Sequence, residues 1–147
     1  MEEKNKVLFV CAHNSARSQM AEAYFNKFVK GDFLAESAGI EAGTLNPLVV
    51  EVMKEDGFDI SGNQTKSVFD FFKAGRLYSH VVTVCDHKTA EQCPIFPGRT
   101  ERLHWSFDDP SSLGGTDEEK LKKIRTIRDQ IKEQIKLFIK EHIEPME

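Results

Sequence analysis

Cys11-Ala-His-Asn-Ser-Ala-Arg17-Ser18 follows the apolar run Val7-Leu-Phe-Val10, so a cysteine stands where a strand ends and an arginine where a helix begins. In that order the unpaired N–H groups of the helix's first turn point at whatever lies above the sulfur, and the peptide dipoles favour negative charge there. Thiols beside a cation at a helix N-terminus ionise well below the ~8.5 of a free cysteine. Arg17 adds a planar fork able to hold two oxygens of a tetrahedral anion. Ala12, His13, Asn14, Ser15 and Ala16 complete the expected anion loop; Asn14, Ser15 and Ser18 offer short polar braces, and Ser18 a hydroxyl for the sulfur. The expected chemistry is attack by Cys11 on phosphorus or arsenic.

The oxygen that leaves in such an attack departs more easily when protonated. Asp109, in Phe107-Asp-Asp-Pro110, is the expected acid, with Asp108 as runner-up and Pro110 stiffening the turn. Cys85 closes the apolar run His80-Val-Val-Thr-Val84, and Cys93 follows a polar segment, 86–92. Two further thiols in a reducing compartment read as a redox pair. A zinc site built from Cys85, His87, Cys93 and His80 matches no finger or ribbon spacing, so no metal is expected there. With phosphate as the oxyanion, water hydrolyses a phosphocysteine and Cys85 and Cys93 stay idle. With arsenate, Cys85 attacks the Cys11 sulfur and expels arsenite, and Cys93 carries the oxidation to a surface Cys85–Cys93 disulfide within reach of an external dithiol protein. Disulfide formation needs Cα atoms within about 7 Å, so segment 86–92 must move.

The elements that position these groups alternate along the chain. Val7–Val10 reads as a strand, 16–29 as a helix with Met20, Tyr24 and Phe28 on one stripe, and Phe33–Gly39 as a second strand. Asn46-Pro47 is an N-cap followed by proline at the first helical position, with Gly57 closing that helix. A short helix carries Val68, Phe71 and Phe72 and stops at Gly75; His80–Val84 is a buried strand and Leu103–Trp105 a short fourth one. Thr116-Asp-Glu-Glu119 is a capping-box pattern before a long amphipathic helix containing Ile124, Ile127, Ile131, Ile135 and Phe138. This alternation predicts an α/β fold, a four-stranded parallel sheet with helices on both faces. Ligands of such sheets bind beyond the carboxyl ends of the strands, where Cys11, Cys85 and the Asp108-Asp109 turn all fall.

Composition sets outer bounds. A chain of 147 residues is expected to be one domain over 1–147, with 39% hydrophobic and 30% charged residues, as in an ordinary globule. No apolar run approaches the roughly 20 residues of a membrane span. At a net charge of −4, with basic residues interleaved among acidic ones, no nucleic-acid footprint is expected. The charged start Met1-Glu-Glu-Lys-Asn-Lys6 leaves no room for a signal peptide, and a cytoplasmic location is expected.

Val10-Cys-x-x-Asn-Ser-x-Arg-Ser-Gln-Met-Ala-Glu22, Ser37-Ala-Gly-Ile-Glu-Ala42, Leu45-Asn-Pro47, Asp59-Ile-Ser61, Val81-Val-Thr-x-Cys85, Cys93-Pro94, His104-Trp105 and Phe107-Asp-Asp-Pro110 together resemble the thioredoxin-coupled arsenate reductases. Those are built on the low-molecular-weight protein tyrosine phosphatase fold. The resemblance implies Cys11 as nucleophile, residues 12–18 as oxyanion site, Asp109 as acid, Cys85 and Cys93 as the redox pair, no bound cofactor and thioredoxin as reductant. One branch of the family binds potassium, and residues matching part of that site are Asn14, Glu22 and Ser37. Departures are seven residues between Cys85 and Cys93 where six are common, an extra Gly62, Ser67 where the cation-binding branch has an acid, Ala16 in place of a loop cysteine, and His13, read as facing solvent. Arsenate reduction is the leading expectation. A phosphatase is the rival, although Ser111 and Ser112 follow Pro110 where the phosphatases carry an aromatic residue, and a non-catalytic oxyanion or redox sensor is the third reading.

Overall fold

The computed structural model describes residues 5–85 and 90–143. The first part of the segment between the second and third cysteines, 86–89, therefore lies outside the described residues, as does His87. Four parallel strands, β1 (Asn5–Cys11), β2 (Phe33–Gly39), β3 (His80–Thr83) and β4 (Glu101–His104), form one sheet in the order β2-β1-β3-β4. The chain runs to one side of β1 and then to the other, so the carboxyl ends of β1 and β3 flank the crevice where such sheets take ligands.

Alternation along β1 divides the core. Val7, Phe9 and Cys11 face the larger apolar cluster, built with α1 (Arg17–Phe28), α2 (Pro47–Glu55) and α4 (Asp117–Phe138). Leu8 and Val10 face the smaller one, with Val68 and Phe71 of α3 (Val68–Lys73) and with Tyr78, Val81, Cys93 and Phe96. Helices cover both faces, as the sequence pattern predicts. Among the described residues no helix is long and apolar enough to cross a membrane.

The local punctuation follows its chemistry. Asn46 Oδ1 accepts from Leu48 N and Val49 N at the start of α2, and Gly57, at φ +91°, takes the left-handed turn after it. Thr116 and Glu119 form the capping box of α4. The third strand ends at Thr83 and the first helix spans Arg17–Phe28, each slightly shorter than expected, and two other strands shift. β1 extends through Cys11, because Cys11 pairs with Gly39. β4 begins at Glu101, in register with His80, although the Trp105 N–H still bonds Thr83 O at 2.8 Å.

Glu36 shows how the smaller face tolerates a carboxylate. Burial alone would raise its pKa, but Tyr78 Oη at 2.7 Å and Arg76 Nη1 at 3.0 Å both donate to it, and the net effect is a lowered value. A carboxyl whose folded pKa lies below its unfolded one, about 4.3, adds stability that is complete above that value and lost as pH falls through the folded one. Tyr78→Phe is therefore expected to cost about 1–2 kcal/mol at pH 7. In urea titrations across pH, the gap between variant and wild type should narrow as pH falls below the unfolded value of about 4.3.

Candidate active site

The loop from Cys11 to Ala16 turns every one of its carbonyls away from the sulfur. Ile40 N bonds Cys11 O at 3.0 Å, Glu41 N bonds Ala12 O at 3.0 Å, and Gly43 N bonds His13 O at 2.9 Å. Gln19 Nε2 reaches Asn14 O at 3.2 Å, Asn46 N reaches Ser15 O at 3.0 Å, and Met20 N reaches Ala16 O at 3.0 Å. In a trans peptide the N–H lies opposite the C=O, so this loop offers its amides to the space above Cys11. Ala16, the N-cap of α1, makes no side-chain cap, which leaves the first-turn amides open to an anion as well.

Asn14 fixes that shape. It is fully buried and takes φ +56°, a left-handed conformation that asparagine tolerates better than most residues. Its Oδ1 accepts from Lys66 N at 3.0 Å and Gln19 Nε2 at 3.1 Å, and its Nδ2 donates to Ser18 Oγ at 2.8 Å. Ser18 Oγ accepts that bond and keeps its single proton, which can be given to a Cys11 thiolate 2.9 Å away. Gly39 closes the loop from behind: a Cβ there would come within 2.5 Å of Asn14 N and 2.6 Å of Glu41 O.

Arg17 joins the loop to the aspartate turn. Only 5% exposed, it donates from Nη1 to Phe107 O at 3.0 Å, and its Nη2 lies 3.8 Å from Asp109 Oδ2. Its Nε is buried without an acceptor among the described residues. A buried cationic donor left unpaired is costly, and an oxyanion over Cys11 is the acceptor that suits it. Asp109 is half-buried and also caps the 3₁₀ turn Pro110–Ser112 by accepting from Ser111 N at 2.9 Å, so the capping role and the place beside Arg17 belong to one residue. Asp108 is exposed on the rim of the same cleft, which Gln130 of α4 also lines.

Cys85 is fully buried just past β3, and Val84 N bonds Val10 O at 2.8 Å, which sets it on the strand end next to Cys11. In this reduced structure Cys93 lies apart from the other two thiols. Cys93 is 5% exposed and lies in the cluster on the other face of the sheet, because Phe96 and Tyr78 draw its turn into the apolar layer. Burial pushes its thiol up to about 11, and Sγ donates to Pro94 O at 3.6 Å. His13 is exposed and pairs with Glu41 at 3.7 Å, on the outer side of the loop.

Around the expected cation ligands, Ser37 Oγ donates to Glu22 Oε1, and Asn14 Oδ1 is taken by two N–H donors. Burial raises the Glu22 pKa, the Ser37 bond and the Lys66 charge oppose it, and Ser67 caps α3. Asn14 Oδ1, with both lone pairs met by N–H donors, is thereby taken from any cation at this place. Two residues join the site beyond those expected from the sequence: Gln19, whose carboxamide also bonds Gln64 O at 3.1 Å and Asn63 Nδ2 at 3.0 Å, and Gln130. A buried glutamine one residue after the loop was the available signal for the first; Gln130, flanking the apolar stripe of α4, gave none.

A thiol at the end of β1, a loop with its amides turned inward and a buried guanidinium define a class of α/β proteins, those that hold a tetrahedral oxyanion over a cysteine. A model of the low molecular weight phosphotyrosine protein phosphatase family matches residues 6–144, and the chain belongs to that family. It is 45% identical over 137 residues to an arsenate reductase of Halalkalibacterium halodurans, spanning 92% of this chain and 95% of that one. It superimposes on an arsenate reductase in its oxidized state with a TM-score of 0.77 at 29% identity, over 93% of this chain and 98% of the other. A thioredoxin-dependent arsenate reductase of Corynebacterium glutamicum matches with a TM-score of 0.63 at 26% identity, over 92% of this chain and 64% of that one.

Asn14→Ala removes the side-chain bonds that hold the loop and leaves alanine at a positive φ, so a loss of about 2–4 kcal/mol is expected. Urea unfolding measures that loss, and calorimetric titration with phosphate should show anion affinity falling with it.

Proposed function

We propose that this chain reduces arsenate to arsenite by a relay through Cys11, Cys85 and Cys93, with thioredoxin as the external dithiol. The supporting observation is Cys85: a second buried thiol on the strand end beside the nucleophile, which a phosphatase has no use for. Family membership, relatives named arsenate reductases and the thioredoxin-dependent neighbour agree with this reading.

The Cys11 thiolate attacks arsenic while Arg17 and the loop amides hold the remaining oxygens. Asp109 protonates the oxygen that leaves as water. Cys85 then attacks the Cys11 sulfur; the S–As bond breaks with its electron pair going to arsenic, which departs as arsenite, and a Cys11–Cys85 disulfide remains. Cys93 attacks Cys85, Cys11 leaves as thiolate, and the Cys85–Cys93 disulfide is reduced from outside. Two thiols lose two electrons and arsenic gains two, so no bound cofactor is required. The last exchange requires the Cys93 turn to leave the opposite face of the sheet and the thiol to deprotonate as it emerges from burial. A cytoplasmic setting, where thioredoxin works, completes the proposal.

Arsenate-dependent NADPH oxidation with thioredoxin and thioredoxin reductase is the expected activity. It should vanish in Cys11→Ser, Cys85→Ser and Cys93→Ser; undiminished turnover of Cys93→Ser would sink the relay. Rapid hydrolysis of p-nitrophenyl phosphate without arsenate turnover would transfer the assignment to a phosphatase. In rapid-quench measurement of the first step, Asp109→Asn is expected to slow arsenylation 10²-fold or more and Asp108→Asn much less, since general acids typically supply 10²–10⁴-fold.

A further inference from the structure

At the amino ends of β3 and β4, far along the sheet from Cys11, three side chains converge from three elements. His80 Nε2 lies 3.5 Å from Glu101 Oε1, and His142 Nδ1, in the turn of helix after α4, lies 3.6 Å from Glu101 Oε2. One donor atom from each of the three falls within 4.8 Å of the other two. An ion with tetrahedral ligands at about 2.0–2.1 Å sets them about 3.4 Å apart, so donor atoms within 4.8 Å of one another come into place by a contraction of about 1.4 Å or less, with each histidine already 3.5–3.6 Å from one oxygen of the carboxylate.

The hydrogen bonds fix which nitrogen of His80 is available. Ser79 Oγ donates its single proton to Lys6 O at 3.1 Å, since a carbonyl can only accept. Ser79 Oγ is then the acceptor for His80 Nδ1–H at 2.8 Å. With the Nδ1 proton so engaged, Nε2 of His80 faces the Glu101 carboxylate, and this pair is satisfied by a cation held between them, whether a proton or a metal ion. The outer partner on Nδ1 is the arrangement that orients ligand histidines. The Phe138 ring, 5.5 Å from the His80 ring and 5.4 Å from the His142 ring, gives the cluster an apolar floor.

We propose that His80, Glu101 and His142 bind a divalent ion of the zinc class, with water as the remaining ligand, and so pin the C-terminal turn of helix to the sheet. Two imidazoles and a carboxylate select Zn²⁺, Co²⁺ or Ni²⁺ over Mg²⁺ and Ca²⁺, which prefer oxygen alone. The site uses none of the groups of the oxyanion loop.

The test is titration of the full, reduced protein with Zn²⁺ against a chromophoric chelator, and with Co²⁺ by absorption spectroscopy. The expected result is one Zn²⁺ per chain and visible Co²⁺ bands without near-ultraviolet thiolate charge transfer. His142→Gln, at a partly exposed site, and His80→Gln should each weaken Zn²⁺ at least about tenfold, the loss that even an outer-shell change produces. Cys11→Ser should bind as wild type does. Absence of Zn²⁺ binding would show that a proton alone bridges His80 and Glu101 and would overturn the proposal. Thiolate bands in the Co²⁺ spectrum, or unaltered affinity in His142→Gln, would overturn it too by moving the ion to the cysteines or elsewhere.

Discussion

A loop can present its amides to an anion only when its carbonyls are bonded somewhere else, and this requirement organises the molecule around Cys11. Six consecutive carbonyls find donors in residues 40–46, in Gln19 and in the first turn of α1. The chain after β2 is therefore part of the site, although none of its side chains faces the sulfur in a bonded pair. Asn14 completes the arrangement by accepting from Lys66 on one side and donating to Ser18 on the other, so the hydroxyl beside the thiol is held in place by a residue that does not touch the sulfur in a bonded pair.

The alternation of apolar and helical segments, the Asn46-Pro47 cap and the Thr116 capping box were enough to read the sheet and its helices from sequence, because each rests on neighbours within a few residues. Cys11, Arg17 and Ser18 were legible for the same reason. What sequence does not display is pairing across distance. The extension of β1 to Cys11 depends on Gly39, the anchoring of Asn14 depends on the Lys66 backbone, and Gln130 comes to the cleft from a helix that reads as uniform. The depth of Cys93 belongs to this group too. The segment before it is polar, and it is the packing of Phe96 against Tyr78 that draws its turn inward.

Burial on opposite faces gives the thiols unlike chemical characters. Cys11 and Cys85 belong to the layer that α1, α2 and α4 cover, while Cys93 lies in the layer beneath α3 with its proton held and directed at a carbonyl. In that conformation Cys93 is a small hydrophobe. Any role it takes as a nucleophile begins with a local rearrangement of the turn that carries it, and low-stability exposed segments are where such openings occur.

Gly39 ties the end of β2 to the anion loop with no side chain between them. Backbone in direct contact with backbone cannot be adjusted by a rotamer change, so neither segment is free to drift in sequence or position without the other. Every amino acid larger than glycine is excluded at this position by atoms that cannot step aside. The shape of the anion cradle is thus inherited from the sheet itself, and surface loops that do not touch it can change without altering its dimensions.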